Sequence, residues 1–187
     1  MADAAEPTFG STPWQRARAY QPFYCEENVW RLLADGALPE PGAAVFVGNR
    51  DRTVAMWGQR ASRSDPIVWD YHVVALLPHR RLIVDLDDRE RAVRPLADWL
   101  RHAFRDHVEP AYRPRFRIVP KAEFLATFSS DRSHMRAADG TALQPPPPWP
   151  APFVPARGSN LLRFVDFDDT IAGVVTEREG LLAYAPR

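Results

Sequence analysis

This chain of 187 residues contains little cysteine or glycine and has no long hydrophobic run. Its single cysteine, Cys25, excludes an intramolecular disulfide, and its nine glycines include no phosphate-binding loop. No stretch approaches the roughly 20 apolar residues of a membrane span. Residues 1–20 also lack the apolar core of a secretory signal peptide. These absences predict a cytoplasmic protein that is stabilised by its own core.

The chain also lacks an excess of charge of either sign. Its 24 basic and 24 acidic residues cancel, and Lys121 is the only lysine. A balanced charge is not typical of a protein that binds nucleic acid or anionic membranes, so we expect neither partner. His102 and His107 lie five residues apart, which is not the spacing of two ligands on one helix face, and we expect no metal.

What is present is a globular composition, 45% hydrophobic and 26% charged. Residues 1–22 are small, polar and proline-containing, and they predict a flexible N-terminal arm. Residues 23–187 have the length of a single domain.

The patterning predicts an α+β fold in which an N-terminal helix that carries the cysteine packs on an antiparallel sheet. Apolar residues of segment 25–35 recur at helical spacing from Cys25 onward, and Gly36 and Pro39 end the helix. Further helices are predicted at 95–107 and 122–128, a β-hairpin from 43–47 and 53–57, a strand pair from 66–77 and 81–87, and strands at 115–119 and 173–176.

A long loop is predicted at 129–160, and it contains four consecutive prolines at 145–148. These prolines favour a polyproline II segment, which Trp149 and Phe153 are expected to dock on the domain. A proline-rich ligand for another domain is the alternative.

Strand geometry brings His72 and Asp85 together. If 78–79 form the centre of the turn, paired residue numbers sum to 157, and His72 lies directly opposite Asp85 on one face. Residues 69, 71, 73, 75 and 77 then form an apolar face with 82, 84 and 86. The opposite face ends in a concentration of His and Asp, as a catalytic or ligand site does.

Cys25, in the first turn of its helix, completes a possible nucleophile–base–carboxylate set with His72 and Asp85. The helix dipole and a nearby imidazolium are expected to lower the pKa of this thiol. In the alternative interpretation, Cys25 is a buried small hydrophobe and the His72–Asp85 pair is a structural hydrogen bond.

Five sequence blocks carry a resemblance to a known family. They are YCEENVW at 24–30, VWDYHVV at 68–74, DLD at 85–87, SDRSHM at 130–135 and PPPPWP at 145–150. In this order they closely resemble the protein N-terminal glutamine amidohydrolase family, which is named for its W-D-Y-H-V motif. The resemblance runs from about Tyr24 to the C-terminus.

The resemblance implies a papain- or transglutaminase-like core that converts an N-terminal glutamine of a protein or peptide to glutamate and releases ammonia, as a step in N-degron processing. The family's Cys-His-Asp triad falls on Cys25, His72 and Asp85, and it needs no cofactor. The implied partners are proteins or peptides with a free N-terminal glutamine, and we expect a monomer.

Selectivity for a free N-terminus requires acceptors for an α-ammonium group, because a buried unpaired charge is costly. Glu26, Asp70 and Asp131 are the candidates, and Trp69 or Trp149 could close the far side of the site. His134 is expected to stabilise its loop or to contact the substrate.

Three other functions remain open at this point. The same triad supports a transglutaminase-like activity or a cysteine protease, which would need a cleft open to an amine acceptor or to an extended peptide. A module that binds N-terminal residues without turnover is the third, although it would not need an intact triad.

Overall fold

The computed structural model describes residues 20–36, 38 and 41–185. Residues 1–19 of the predicted arm and Pro39 therefore lie outside the described residues. The helices are α1 (Cys25–Ala34), α2 (Leu96–Ala103), α3 (Lys121–Thr127), α4 (Leu161–Phe164) and α5 (Arg178–Ala183). The strands are β1 (Ala43–Gly48), β2 (Val54–Met56), β3 (Ile67–Trp69), β4 (Tyr71–Leu77), β5 (Leu82–Val84), β6 (Val93–Pro95), β7 (Arg115–Pro120) and β8 (Val174–Thr176).

A six-stranded sheet in the order β6-β5-β4-β1-β7-β8 forms the middle of the molecule. All of its pairings are antiparallel. Strands β2 and β3 form a separate two-stranded antiparallel sheet. The prediction of an antiparallel α+β fold is therefore confirmed.

Helices cover both faces of the large sheet and create two cores. Residues of α1, α3 and α4 pack on one face, and residues of α2 and α5 pack on the other. Helix α1 buries Cys25, Val29, Leu32 and Leu33 against the sheet, as its spacing predicts. The helix ends where Gly36 adopts a left-handed conformation with φ +64°, which glycine takes without a steric cost.

The hairpin predicted from 43–47 and 53–57 is wrong. Strand β1 is buried at all six positions and pairs with β4 on one side and β7 on the other. A continuous apolar run of this kind is typical of a central strand that is covered on both faces. The Asn49 side chain turns the chain away by donating to the carbonyl groups of Ala111 and Arg113 at 2.8 and 3.2 Å.

The single strand predicted at 66–77 is divided at Asp70. Strand β3 before it pairs with β2, whereas β4 after it belongs to the large sheet. The Asp70 carboxylate accepts a hydrogen bond from the backbone N–H of Tyr71 at 2.9 Å. A short polar side chain that binds the adjacent backbone in this way favours a break in a strand.

The predicted register between 66–77 and 81–87 is also wrong. Leu77 pairs with Leu82 and Ala75 with Val84, so the paired numbers sum to 159 instead of 157. The connection is longer than a two-residue turn, because a 3-10 helix at Pro78–Arg80 is followed by Arg81 at φ +53°. A shift of two residues keeps the side chains of β4 and β5 on their predicted faces, since the side-chain period of a strand is two. Trp69, which was expected on the same face as Tyr71, lies before the break at Asp70 and packs with the other core.

The long loop docks on the domain through Trp149, which is buried and donates its Nε1–H to Glu27 Oε2 at 3.0 Å. Phe153 does not contribute as expected, since it is exposed. Among the described residues, no helix has the length and apolar character needed to cross a membrane.

Candidate active site

His72 and Asp85 form a buried pair at the end of β4. The His72 Nε2 atom lies 2.9 Å from Asp85 Oδ1, and both side chains are almost fully buried. The pair does not come from a ladder register, because β5 ends at Val84 and Asp85 follows it. Since Nε2 is bound to Asp85, Nδ1 is the ring nitrogen that remains for proton transfer.

Asp85 is held by three further donors. Trp99 Nε1 and Gln59 Nε2 donate to its Oδ2 at 3.1 and 3.2 Å, and the backbone N–H of Asp87 donates to Oδ1 at 3.1 Å. Burial raises the pKa of Asp85, but the charge of His72 and these hydrogen bonds outweigh burial and hold the pKa below its usual value. Asp85 is therefore an ionised acceptor in a fixed position.

The pKa of His72 is raised by its carboxylate partners. Burial acts in the opposite direction, but the charge and hydrogen bond of Asp85, together with the nearby charge of Asp87, stabilise the imidazolium. An imidazole that a carboxylate orients in this way can accept a proton from a nearby thiol and later return it.

Cys25 begins α1, as predicted, and lies 8% exposed at the cavity described below. Its thiol donates to Glu26 Oε2 at 3.7 Å, and no hydrogen bond among the described residues joins Cys25 to His72. Burial raises the pKa of Cys25, and the charges of Glu26 and Asp87 raise it further, against a backbone hydrogen bond from Val73. The expectation of a lowered thiol pKa is therefore wrong, because burial and the nearby carboxylates oppose the thiolate.

A cavity of about 310 Å³ is lined by Cys25 and His72 together with residues from several elements. Its apolar rim includes Phe23, Leu143 and Leu162, which are all partly or largely exposed. The cavity therefore connects the buried thiol and imidazole with the surface and offers a polypeptide an apolar entrance.

Behind one wall of the cavity lies the fully buried Glu26. Its Oε2 accepts a hydrogen bond from the Tyr71 hydroxyl at 3.1 Å, and its Oε1 lies 3.3 Å from His134 Nε2. The Oε1 contact lacks hydrogen-bond geometry, so Oε1 has no hydrogen-bond partner among the described residues. Tyr71 and His134 line the cavity, whereas Glu26 does not.

The neighbouring Glu27 fixes the loop that carries His134. Arg132 binds both oxygens of Glu27, at 2.6 and 2.7 Å, and donates to the Trp149 carbonyl at 2.7 Å. This bidentate, buried arrangement ties 130–135 and the proline-rich segment to the first turn of α1. The position of His134 in the cavity wall therefore depends on a helix far away in the sequence.

The remaining predicted site residues lie in different places. Trp69 lines the cavity and stacks on His72, with ring centroids 5.9 Å apart. Asp70 lines it as an exposed residue. Asp131 is exposed, accepts a hydrogen bond from the backbone N–H of Ser133 at 2.9 Å and is not among the lining residues. Trp149 packs against α1 instead of closing the cavity, with Arg31 above its ring.

The sequence argument missed several neighbours of the candidate triad. Asp87 was not among the predicted site residues, although it lines the cavity. Gln59 and Trp99 gave no signal, because they reach Asp85 from a loop and from α2. The alternation could have identified Tyr71, since Tyr71 lies on the face of β4 that packs against α1.

His72, Asp85 and Asp87 each offer a ligand atom within 4.8 Å of the others, so they could hold a metal ion. However, Nε2 of His72 and both oxygens of Asp85 already take part in hydrogen bonds. A metal ion there would displace the contacts that orient the imidazole.

A larger cavity of about 500 Å³ lies just after the C-terminal end of β1, near Asn49 and Phe104. Its lining contains neither cysteine nor histidine, and its arginines include Arg105 and Arg178, which already have partners. The smaller cavity at Cys25 is therefore the candidate active site.

Comparisons with known proteins point to one family. A family model described as N-terminal glutamine amidase matches residues 20–185. A protein N-terminal glutamine amidohydrolase from Drosophila grimshawi is 39% identical over 144 residues, which are 71% of this chain and 70% of that protein. The protein of the same name from Danio rerio is 36% identical over 171 residues, which are 86% of this chain and 85% of that protein.

Proposed function

This chain belongs to the N-terminal glutamine amidase family, and from that premise we propose that Cys25, His72 and Asp85 are its nucleophile, its base and its orienting carboxylate. The reaction is hydrolysis of the side-chain amide of an N-terminal glutamine, which leaves glutamate and releases ammonia. The observation that carries the assignment is that Cys25 and His72 line one cavity and that the buried Asp85 holds His72 from behind.

In the first half of the reaction, His72 Nδ1 accepts the thiol proton while Cys25 Sγ attacks the side-chain carboxamide carbon. General-base activation at the moment of attack suits a thiol whose pKa is raised, because little thiolate is present beforehand. The imidazolium then gives the proton to the departing nitrogen, and ammonia leaves as the C–N bond breaks. The product of this half is a thioester between Cys25 and the substrate.

In the second half, His72 removes a proton from water, which attacks the thioester carbon. The C–S bond breaks, the proton returns to the sulfur and an N-terminal glutamate is released. The backbone N–H of Cys25, in the first turn of α1, has no acceptor within the helix. It is the proposed donor to the oxyanion in both halves.

The thiol has to change its orientation for this chemistry, since its hydrogen bond is made to Glu26 and not to His72. Hydrogen bonds between catalytic groups are often loose in the absence of substrate and tighten in the complex. Glu26 therefore holds the thiol away from the imidazole until a carboxamide occupies the cavity.

The finer fold and substrate assignments belong to the same proposal. A helix that begins with the nucleophilic cysteine and packs on an antiparallel sheet that carries the histidine is consistent with a papain- or transglutaminase-like core. Trp69, stacked on His72, supplies an aromatic wall for the glutamine side chain, and Asp70 contacts the substrate at the cavity mouth. Asp131 is assigned to its own loop turn instead of to the substrate.

The decisive experiment is mass spectrometry of a Gln-initiated peptide after incubation with the protein. Mass spectrometry separates the glutamate product from the pyroglutamyl peptide, which forms by spontaneous cyclisation and also releases ammonia. We expect conversion to glutamate by the wild-type protein and none above the blank by Cys25→Ala, because the thioester cannot form.

The melting temperature of Cys25→Ala serves as the control for folding, and we expect little change because alanine fits the position of the thiol. A variant that retains most of the wild-type rate would end the assignment of Cys25 as nucleophile. Deamidation of internal glutamine at a comparable rate would instead favour the transglutaminase-like alternative.

A further inference from the structure

An enzyme that acts only on residue one has to recognise what an internal glutamine lacks, which is the α-ammonium group. Rejection of blocked or internal glutamine therefore requires a buried anionic acceptor that is left unpaired by the wrong substrate. This reasoning rests on the proposed function and asks which carboxylate of the cavity is the acceptor.

Three carboxylates near Cys25 are unsuited to this role. Glu26 lies behind the cavity wall and faces Tyr71 and His134. Asp85 has both oxygens in hydrogen bonds that orient His72. Asp70 lines the cavity but is exposed to water, where a charge pair contributes little selectivity.

Asp87 has the properties that the others lack. It lines the cavity with Cys25 and His72, is only 4% exposed, and forms no ion pair within 4.0 Å with any arginine among the described residues. Its oxygen lies within 4.8 Å of a His72 ring nitrogen. A cation bound to Asp87 would therefore be held beside the catalytic base, which is where the first residue of a peptide has to be.

We propose that Asp87 is the residue that binds the α-ammonium group of the substrate and so determines specificity for an N-terminal glutamine. Tyr20 orients this carboxylate by donating its hydroxyl to Asp87 Oδ1 at 2.7 Å. In the complex the ammonium group offsets the negative charge of Asp87, and the imidazolium that forms when His72 takes the thiol proton is offset by Asp85.

The electrostatics of the empty cavity agree with this role. Burial raises the pKa of Asp87 and the charge of Asp85 raises it too, and together they outweigh the charges of His72 and Arg60 and the Tyr20 hydrogen bond, which lower it. A carboxyl whose pKa is raised in the folded state is destabilising as a carboxylate at any pH above its unfolded value. The Asp87 carboxylate therefore destabilises the fold in the absence of a ligand, as is typical of a residue that binds a charged ligand.

The test compares two peptides that differ only in the α-amine. One begins with glutamine and the other with a 4-carbamoylbutanoyl group, which is glutamine without its amine. We expect the wild-type enzyme to favour the first by about 100-fold or more in kcat/KM, and Asp87→Asn to reduce this preference to about tenfold or less.

Asp85→Asn is the matched control, because it keeps the charge of Asp87 and impairs the base. We expect Asp85→Asn to slow both peptides by the same factor and to retain the preference for the amine. Tyr20→Phe, which keeps the carboxylate, is expected to reduce the preference only in part.

Folding of Asp87→Asn is followed by its melting temperature at neutral pH, which we expect to be equal to or above that of the wild type. A preference that survives in Asp87→Asn would overturn the proposal, as would equal loss of rate on both peptides. A wild-type enzyme that fails to convert the glutamine peptide to the glutamate peptide would instead refute the proposed function.

Discussion

At the scale of single residues, Asp85 shows how a carboxylate can be ionised and immobile inside a protein. It accepts hydrogen bonds from His72, Trp99, Gln59 and the Asp87 backbone, which together offset the cost of burying its charge. These donors leave the carboxylate no freedom to rotate, so the His72 ring is fixed as well. The orientation of the His72 ring is thereby set before substrate arrives.

The first residue-scale prediction concerns the pH dependence of catalysis in Asp85→Asn. Because Asp85 raises the pKa of His72, the acidic limb of kcat/KM in the wild type is expected to have its midpoint above about 6.5. Removal of the carboxylate should move this limb to lower pH and reduce kcat by about 10²- to 10⁴-fold. Initial rates across the pH range, with the glutamine peptide, measure both effects.

The matched variant for this prediction is Asp168→Asn, which removes an exposed carboxylate from Arg50 and Arg115. It is expected to leave the rate and the acidic limb unchanged. A limb that stays in place in Asp85→Asn would show that His72 is not the titrating base.

At the scale of elements, the first turn of α1 organises much of the site. Cys25 faces the cavity, Glu26 contacts Tyr71 and His134, and Glu27 binds Arg132. One helical turn thus connects Cys25 with the loop at 130–135. Two adjacent buried glutamates are tolerated because a separate partner meets each of them.

The element-scale prediction is that Arg132→Met uncouples this loop from α1. It leaves the Glu27 carboxylate buried with only the Trp149 donor, so we expect the free energy of unfolding to fall by about 3 kcal/mol. The rate should fall as well, because His134 loses its fixed position in the cavity wall. Urea denaturation and initial rates with the glutamine peptide provide the two measurements.

Arg163→Met is the control, since Arg163 also binds a carboxylate through two hydrogen bonds, to Asp169, but in an exposed position. Exposed pairs contribute about 0–1 kcal/mol, and this variant should retain full activity. Equal losses in the free energy of unfolding of the two variants would show that burial of the Glu27 carboxylate does not strengthen its interaction with Arg132.

At the scale of the whole molecule, stability should depend on pH through the His72–Asp85 pair. The folded-state pKa of His72 is raised, so its contribution is complete below the unfolded value of about 6.5 and is lost as the pH rises through the raised pKa. The folded-state pKa of Asp85 is lowered, so its contribution is present above about 3.9 and is lost as the pH falls through the lowered pKa.

Both contributions are therefore complete between about pH 4 and 6.5. We expect the free energy of unfolding of Asp85→Asn to fall furthest below that of the wild type in this window, and the difference to shrink on either side. Urea denaturation at several pH values measures it. Exposed arginines lower the pKa of Asp168 in the wild type, so the difference between the wild type and Asp168→Asn should shrink on the acidic side only. A difference that stays constant with pH for Asp85→Asn would contradict the linkage.

The sequence by itself determined the properties that depend on local periodicity. The spacing of apolar residues gave the position of α1 with Cys25 in its first turn, and alternation gave the two faces of β4. It could also place His72 and Asp85 on one side of the sheet, because a side-chain period of two survives the register error of two residues. The short blocks around these residues were enough to indicate the family.

Only the tertiary structure decided the contacts between segments that are far apart in the chain. The partners of β1, the donors from Gln59 and Trp99 to Asp85, and the contact of Arg132 with Glu27 have no local signature. The pKa of Cys25 was also decided by residues that only the tertiary structure brings close to it. A helix start favours a thiolate, but burial beside Glu26 and Asp87 outweighs it, and burial is a property of the packed molecule and not of the sequence around one residue.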